Sequence, residues 1–241
     1  MRKYWLLTTV VTGALLGVVV YAAAATDHSP GSHDDAVIVA SPLEILPAES
    51  APDWVTYSDH LVTVIASGER EVPPGEGEST GGGSIVGREV TFDVRETLWS
   101  REGSPELPAQ LSWQWGGWQE SDEGDRRPWL LEGAAPIEIG QSYVIPVVLI
   151  EWGAEPAAWA PLSVTAVIPV VDDVLQPATE TPDSGTFAAE SSGESPGSLA
   201  AILAETPIHP EAEEFMDVEA VDRYSSAQTG RLVDADGDGR S

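Results

Sequence analysis

The chain has 241 residues, with 40 Asp and Glu against 11 Lys and Arg, and a formal net charge of −29. That charge excludes a nucleic-acid binder, which needs a concentrated basic surface against phosphate. The absence of cysteine excludes a disulfide framework, a thiolate metal site and a cysteine nucleophile.

Arg2 and Lys3 precede an uncharged run over residues 4–25. Basic residues hold the start of a chain on the cytoplasmic side while an apolar run enters the membrane. Two outcomes stand side by side. One is a cleaved signal, with Ala22/Ala24 or Ala23/Ala25 before the cut. The other is an uncleaved anchor, since a run of this length at about 1.5 Å per residue spans a hydrocarbon core of about 30 Å. Both place the rest of the chain outside the cytoplasm, either secreted or anchored to the outer face of the cytoplasmic membrane.

Residues 26–52 read as a flexible linker rich in Pro, Ser and Asp. Residues 37–39 form an apolar patch able to pair as an edge strand. His28 and His33 lie beside Asp34 and Asp35, but nothing fixes a ligand geometry, and the segment reads as a solvated tether.

From residue 53 to 175 the pattern becomes that of a β-domain. Residues 60–66 are β-branched and apolar, the mark of a mostly buried strand. The Gly-rich stretch 72–83 lacks a Lys after its glycines and carries Glu76 and Glu78, so it is a hairpin loop and not a phosphate cradle. Residues 88–99 alternate: Val90, Phe92, Val94 and Leu98 face one way, and Glu89, Thr91, Asp93, Arg95 and Thr97 the other. Residues 110–118 repeat the alternation with Leu111, Trp113 and Trp115, until Gly116 and Gly117 break or bulge the strand. Residues 129–131, 143–150 and 162–171 supply three more strands. Pro146 places the second of these at an edge or a bulge, because proline cannot donate to a ladder. Short strands separated by Gly/Pro turns predict a mainly β fold, a small antiparallel OB-like barrel or sandwich.

An acidic flexible linker, 176–197, follows. A short helix spans 199–205, and a second helical stretch runs over about 211–224 after Pro210. Helices this short are marginal alone and are expected to dock on the β-domain through Leu199, Ile202, Leu203, Phe215 and Val218. The helical segment closes at 226, and 227–241 read as a disordered acidic tail. Residues 180–222 hold eleven acids and no Lys or Arg, so the negative charge is concentrated toward the C-terminus and favours a basic or calcium-bridged partner.

The order of features resembles an OB-like barrel of the netrin/TIMP type: Ser58-Asp59 before a buried strand, the strand 90–99, and Gly140-Gln141-Ser142-Tyr143-Val144 opening a further one. The plan of leader, Trp-rich β-domain and short C-terminal helices also resembles uncharacterised exported proteins of actinobacteria. The resemblance implies a barrel fold and an extracytoplasmic setting. It does not carry protease inhibition, which in that family depends on cysteine-tied segments that this chain lacks.

Three candidate chemistries remain. Asp234, Asp236 and Asp238, followed by Gly239, match positions 1, 3, 5 and 6 of a calcium loop, whose alternating carboxylates converge around a tight turn. The sequence ends before the usual acid at position 12. Calcium is thus the one cofactor with a candidate site. Trp113 and Trp115 share a strand face and fill a core. Trp118, beside two glycines and the acid-rich stretch 120–127, is the candidate exposed ring for stacking on a sugar, an aromatic or a cation. A Ser/His/Asp relay needs converging side chains, and Asp59 and His60 are neighbours that point apart on a strand. The sequence therefore predicts a non-enzymatic exported or membrane-anchored cell-envelope protein, binding an extracytoplasmic protein or envelope polymer. An extracytoplasmic carboxylate-dependent hydrolase of envelope glycan or peptide and a calcium-dependent adhesion module are the alternatives.

Overall fold

The computed structural model describes residues 38–40, 44–74, 84–121, 123–151, 156–178 and 185–237, with 231–237 described by their backbone alone. The leader 1–25 and the His28/His33 segment lie outside the described residues.

Strand β1 (Ile38–Ala40) is followed by helix α1 (Ala51–Tyr57). Ser50 starts α1 as one half of a capping box. Its hydroxyl accepts from the Asp53 amide (3.3 Å), and the Asp53 carboxylate accepts from the Ser50 amide (2.8 Å). Two of the orphan donors of the first turn are satisfied in this way. Strands β2 (His60–Val72), β3 (Ser84–Ser100), β4 (Gln110–Glu120) and β5 (Arg126–Leu131) then form an antiparallel meander.

Strand β6 (Ser142–Ile150) returns to pair antiparallel with β2. On its other side it carries two short partners in series, β8 (Ile168–Val171) and β7 (Ala158–Pro161), while β9 (Val174–Leu175) extends the sheet beyond β8. The strand order is β1-β5-β4-β3-β2-β6-β8-β9, with β7 beside β6. All pairs are antiparallel except β1–β5, which is parallel.

The small antiparallel OB-like barrel or sandwich expected from the sequence is therefore incorrect. The sheet is open and mixed, with β1 at one edge and β9 at the other. The molecule is a mixed α/β fold and not a mainly β one. The reason lies in β6, the run YVIPVVLI. Tyr143, Ile145 and Val147 pack on one side with Phe92, Trp113 and Trp115. Val144, Val148 and Ile150 pack on the other with Trp54, Leu61, Leu199 and Leu203. A small barrel buries only its inner face. A strand that is apolar on both faces requires a layer on each, and here helices supply the second.

Pro146 does not place β6 at an edge. It stands where β8 stops (Val144 opposite Ile168) and β7 begins (Val147 opposite Pro161). Its carbonyl accepts from the Leu162 amide (2.8 Å) on that side. In an extended strand the nitrogen and carbonyl of one residue face the same way, so the missing donor falls in the gap between the two partners.

The stretch 162–171 is not one strand either. The Ser163 hydroxyl accepts from the Thr165 amide (3.0 Å) and starts a 3₁₀ turn, Val164–Ala166, ahead of β8. The segment expected as an acidic linker is partly folded: Thr186 caps α2 (Phe187–Glu190), and Phe187 meets Trp54 edge-on at 5.0 Å. Ser195 caps α3 (Pro196–Glu205), which begins three residues ahead of the helix expected at 199–205. Leu199 and Leu203, one turn apart, are fully buried, while Ile202 and Val218 are exposed. A 3₁₀ turn (Pro210–Phe215) leads to α4 (Ala220–Gly237).

Among the described residues no helix is long and apolar enough to cross a membrane. The membrane anchoring expected on the outer face of the membrane therefore finds no helix to carry it here, and the run 4–25 on which that expectation rested lies outside the described residues.

Candidate functional site

The ends of α1, β3, β6, α3 and the stretch before α4 meet around a cleft of about 890 Å³. Its floor is a charge cluster that starts at the α1–β2 junction. Asp59 is 4 % exposed, and burial at this level requires every lone pair to be matched. One carboxylate oxygen takes the Arg101 guanidinium, with the Ser104 hydroxyl at 3.3 Å, and the other takes the Leu149 amide at 2.8 Å. The turn that follows β3 thus brings Arg101 and Ser104 back onto the strand beside it. Arg101 Nε is buried with no hydrogen-bond partner among the described residues.

A second guanidinium lies behind the first. Arg223, in the first turn of α4, is 1 % exposed. It donates to the carbonyls of Phe215 (3.2 Å), Val218 (2.7 Å) and Thr56. It ties the stretch before α4 to the last turn of α1, where carbonyls have no helical partner. Desolvation, with the Arg101 charge nearby, pushes the Arg223 guanidinium down to about 10.

His209 adds a parallel tie. Its Nε2 lies 2.8 Å from Asp53, and its amide donates to the Thr56 hydroxyl (2.9 Å). The cleft wall formed by Thr206, Ile208 and Met216 is thus fixed to α1 at two points.

Glu219 faces this cluster from the start of α4 and accepts from the Glu151 amide (3.1 Å). Desolvation raises its carboxyl above the ordinary range, and the charges of Asp222, Glu151 and Asp59 add to the effect. Asp59, Glu102, Glu151, Asp217 and Glu219 line the cleft against Arg101, and Val55, Trp99, Leu149, Leu203, Ile208 and Val218 form its apolar walls. A concave site with apolar walls and a few converging polar groups is the common form of a small-molecule site.

The residues singled out from the sequence lie elsewhere. Trp113 and Trp115 are buried, their indole N–H groups donating to the carbonyls of Trp159 (2.7 Å) and Ala135 (2.9 Å). Trp118 is half-buried and lines a separate, largely apolar groove of about 740 Å³ with Trp115, Pro128, Leu130 and Pro136. Its ring carries the Arg126 guanidinium at 5.8 Å. Arg126 in turn binds Glu71 at 2.7 Å, and that bond holds the Glu71 carboxyl below its usual range.

Asp234 and Asp236 fall within α4, where only the backbone is described, and Asp238 lies outside the described residues. Among the described residues no group of three or more His, Asp or Glu is placed to hold a metal ion.

Sequence reasoning weighed Asp59 only as a neighbour of His60 and did not find Arg101, Glu219 or Arg223. The capping-box spacing Ser50…Asp53 was a usable signal for the helix that frames them. The union of residues 59, 101 and 219 had no local signal.

No family model, curated protein or solved structure matches this chain. The resemblances to netrin/TIMP-type barrels and to exported actinobacterial proteins are not supported, and the open mixed sheet contradicts the first directly. The expected role, an exported or membrane-anchored envelope-binding protein, loses the barrel it was built on, and among the described residues no helix is long and apolar enough to anchor it. The alternatives, an envelope hydrolase and a calcium-dependent adhesion module, were expected in the same setting, and the side chains of Asp234, Asp236 and Asp238 on which the second rested lie outside the described residues.

Proposed function

We propose that the protein binds a small amphipathic amine in the cleft between α1, β3, β6 and α4. The observation that carries this reading is the composition of the cleft: five carboxylates and one guanidinium on its lining, the guanidinium already engaged by Asp59, above apolar walls. The surplus carboxylates attract a cation, and the walls take its hydrocarbon. The volume lies within the range of about 300–1,000 Å³ typical of ligand pockets. The chain's charge of −29 adds long-range attraction for a cation.

Three probes of equal length test the reading: octylammonium, octanol and octanoate, titrated calorimetrically into the full chain. Octylammonium is expected to bind at least tenfold more tightly than octanol, and octanoate not at all. Glu219→Gln is expected to weaken octylammonium and leave octanol unchanged. Equal binding of the three probes, or preference for octanoate, would refute the proposal.

A further inference from the structure

We propose that Ser100 is a base-activated nucleophile, with His60 as its base and the Pro105 carbonyl as the group that fixes the imidazole. The β2–β3 register sets His60 directly opposite Ser100, and opposed residues of an antiparallel pair share a face. His60 Nδ1 lies 2.8 Å from Ser100 Oγ, and Nε2 lies 2.8 Å from the Pro105 carbonyl oxygen. A carbonyl can only accept, so Nε2 carries the proton. In the neutral ring Nδ1 then holds the lone pair, and the Ser100 hydroxyl donates to it.

The two partners differ sharply in access. His60 is 6 % exposed, with Trp159 packed beside its ring at 5.4 Å, whereas Ser100 is exposed. A base oriented by a third group and within hydrogen-bond reach of an open hydroxyl is the diagnostic arrangement of an activated nucleophile. The third member is a backbone carbonyl; Asp59, the chain neighbour of His60, is engaged by Arg101 instead. Ser100 and Pro105 both reach the rim of the cleft.

The substrate class is a small activated ester. Ser100 Oγ attacks the acyl carbon and forms an O–C bond while its proton passes to His60 Nδ1. The bond from the acyl carbon to the leaving oxygen then breaks. The leaving group departs with the electron pair and takes the proton from Nδ1. Water repeats the sequence on the acyl-serine, releasing the carboxylic acid and restoring Ser100.

The full chain, treated with a fluorophosphonate, is expected to yield one dominant adduct, located at Ser100 by peptide mass spectrometry. A general base contributes about 10²–10⁴-fold, so His60→Gln is expected to slow labelling at least 100-fold, with its fold checked by tryptophan emission. Should that variant not fold, Ser100→Cys carries the test, because the chain has no other thiol. Its alkylation by iodoacetamide against pH is expected to report a thiol well below the ordinary value of about 8.5. Absence of an adduct at Ser100, labelling indifferent to His60→Gln, or an ordinary thiol in Ser100→Cys would each overturn the proposal.

Discussion

Replacing Asp59 by Asn preserves its shape and leaves an oxygen for the Leu149 amide, but removes the charge that Arg101 faces. The Arg101 side chain is only 14 % exposed, and Arg223 stands close enough for each guanidinium to feel the other. Breaking a buried pair from one side costs about 3–5 kcal/mol, because the surviving charge stays desolvated. For a domain of this size each kcal/mol lowers Tm by about 2–4 °C, so Asp59→Asn should melt roughly 6–20 °C lower. Urea unfolding followed by tryptophan emission gives the free energy directly. Arg101→Met removes the stranded cation, so the double variant should be less destabilised than the sum of the singles by about 2 kcal/mol. A loss below about 1 kcal/mol for Asp59→Asn, or strict additivity, would refute the account of Asp59 and Arg101 as one buried unit.

Gly117→Ala should cost about 3 kcal/mol or more, because the new Cβ would stand 2.1 Å from the Val86 carbonyl oxygen at a φ of +152°. Urea unfolding of that variant checks it. Leu199→Ala should cost about 2–5 kcal/mol, whereas exposed Ile202→Ala, one turn away, should stay within about 0.5 kcal/mol; comparison of the two melts tests the docking of α3. Glu219 has a raised carboxyl, so the folded state holds its proton to higher pH than the unfolded chain does. Its ionisation therefore destabilises, with no effect below the unfolded value of about 4.3 and the full effect above the raised one. Glu219→Gln should thus gain stability over the parent at pH 7 and not at pH 4. Octylammonium affinity should fall as pH drops through the raised value in the parent only.

The strands were largely legible because alternation and β-branching are local. Trp113 and Trp115, two apart on β4, declared their common face, and the Gly116-Gly117 pair marked the bulge where β4 shifts against β3. Closure of the sheet was not legible. Period-two alternation is the same for a barrel and an open sheet, and the decisive clue was the unbroken apolar run of β6. Read as an edge or bulged strand because of Pro146, it is a central one, since a missing donor is harmless between two short partners. The cleft was the least legible part. Asp59, Arg101, Glu219 and Arg223 are each unremarkable where they stand in the sequence, and their meaning comes from contacts that span from 42 to 167 residues.

Those long-range contacts also order events in time. The β2–β5 meander can pair as soon as it is made. Helix α1 has its own capping box but not its outer ties, because the second Asp53 oxygen and the Thr56 carbonyl take their partners from His209 and Arg223. At a synthesis rate of about 5–20 residues per second, the interval between them is roughly 10–30 s. Within it, the apolar side of β6 that α3 later covers is open to other chains for the roughly 3–11 s that separate the making of residues 150 and 205. The cleft is the last part of the molecule to form, and during synthesis the demand for protection from aggregation falls on that one face of the sheet.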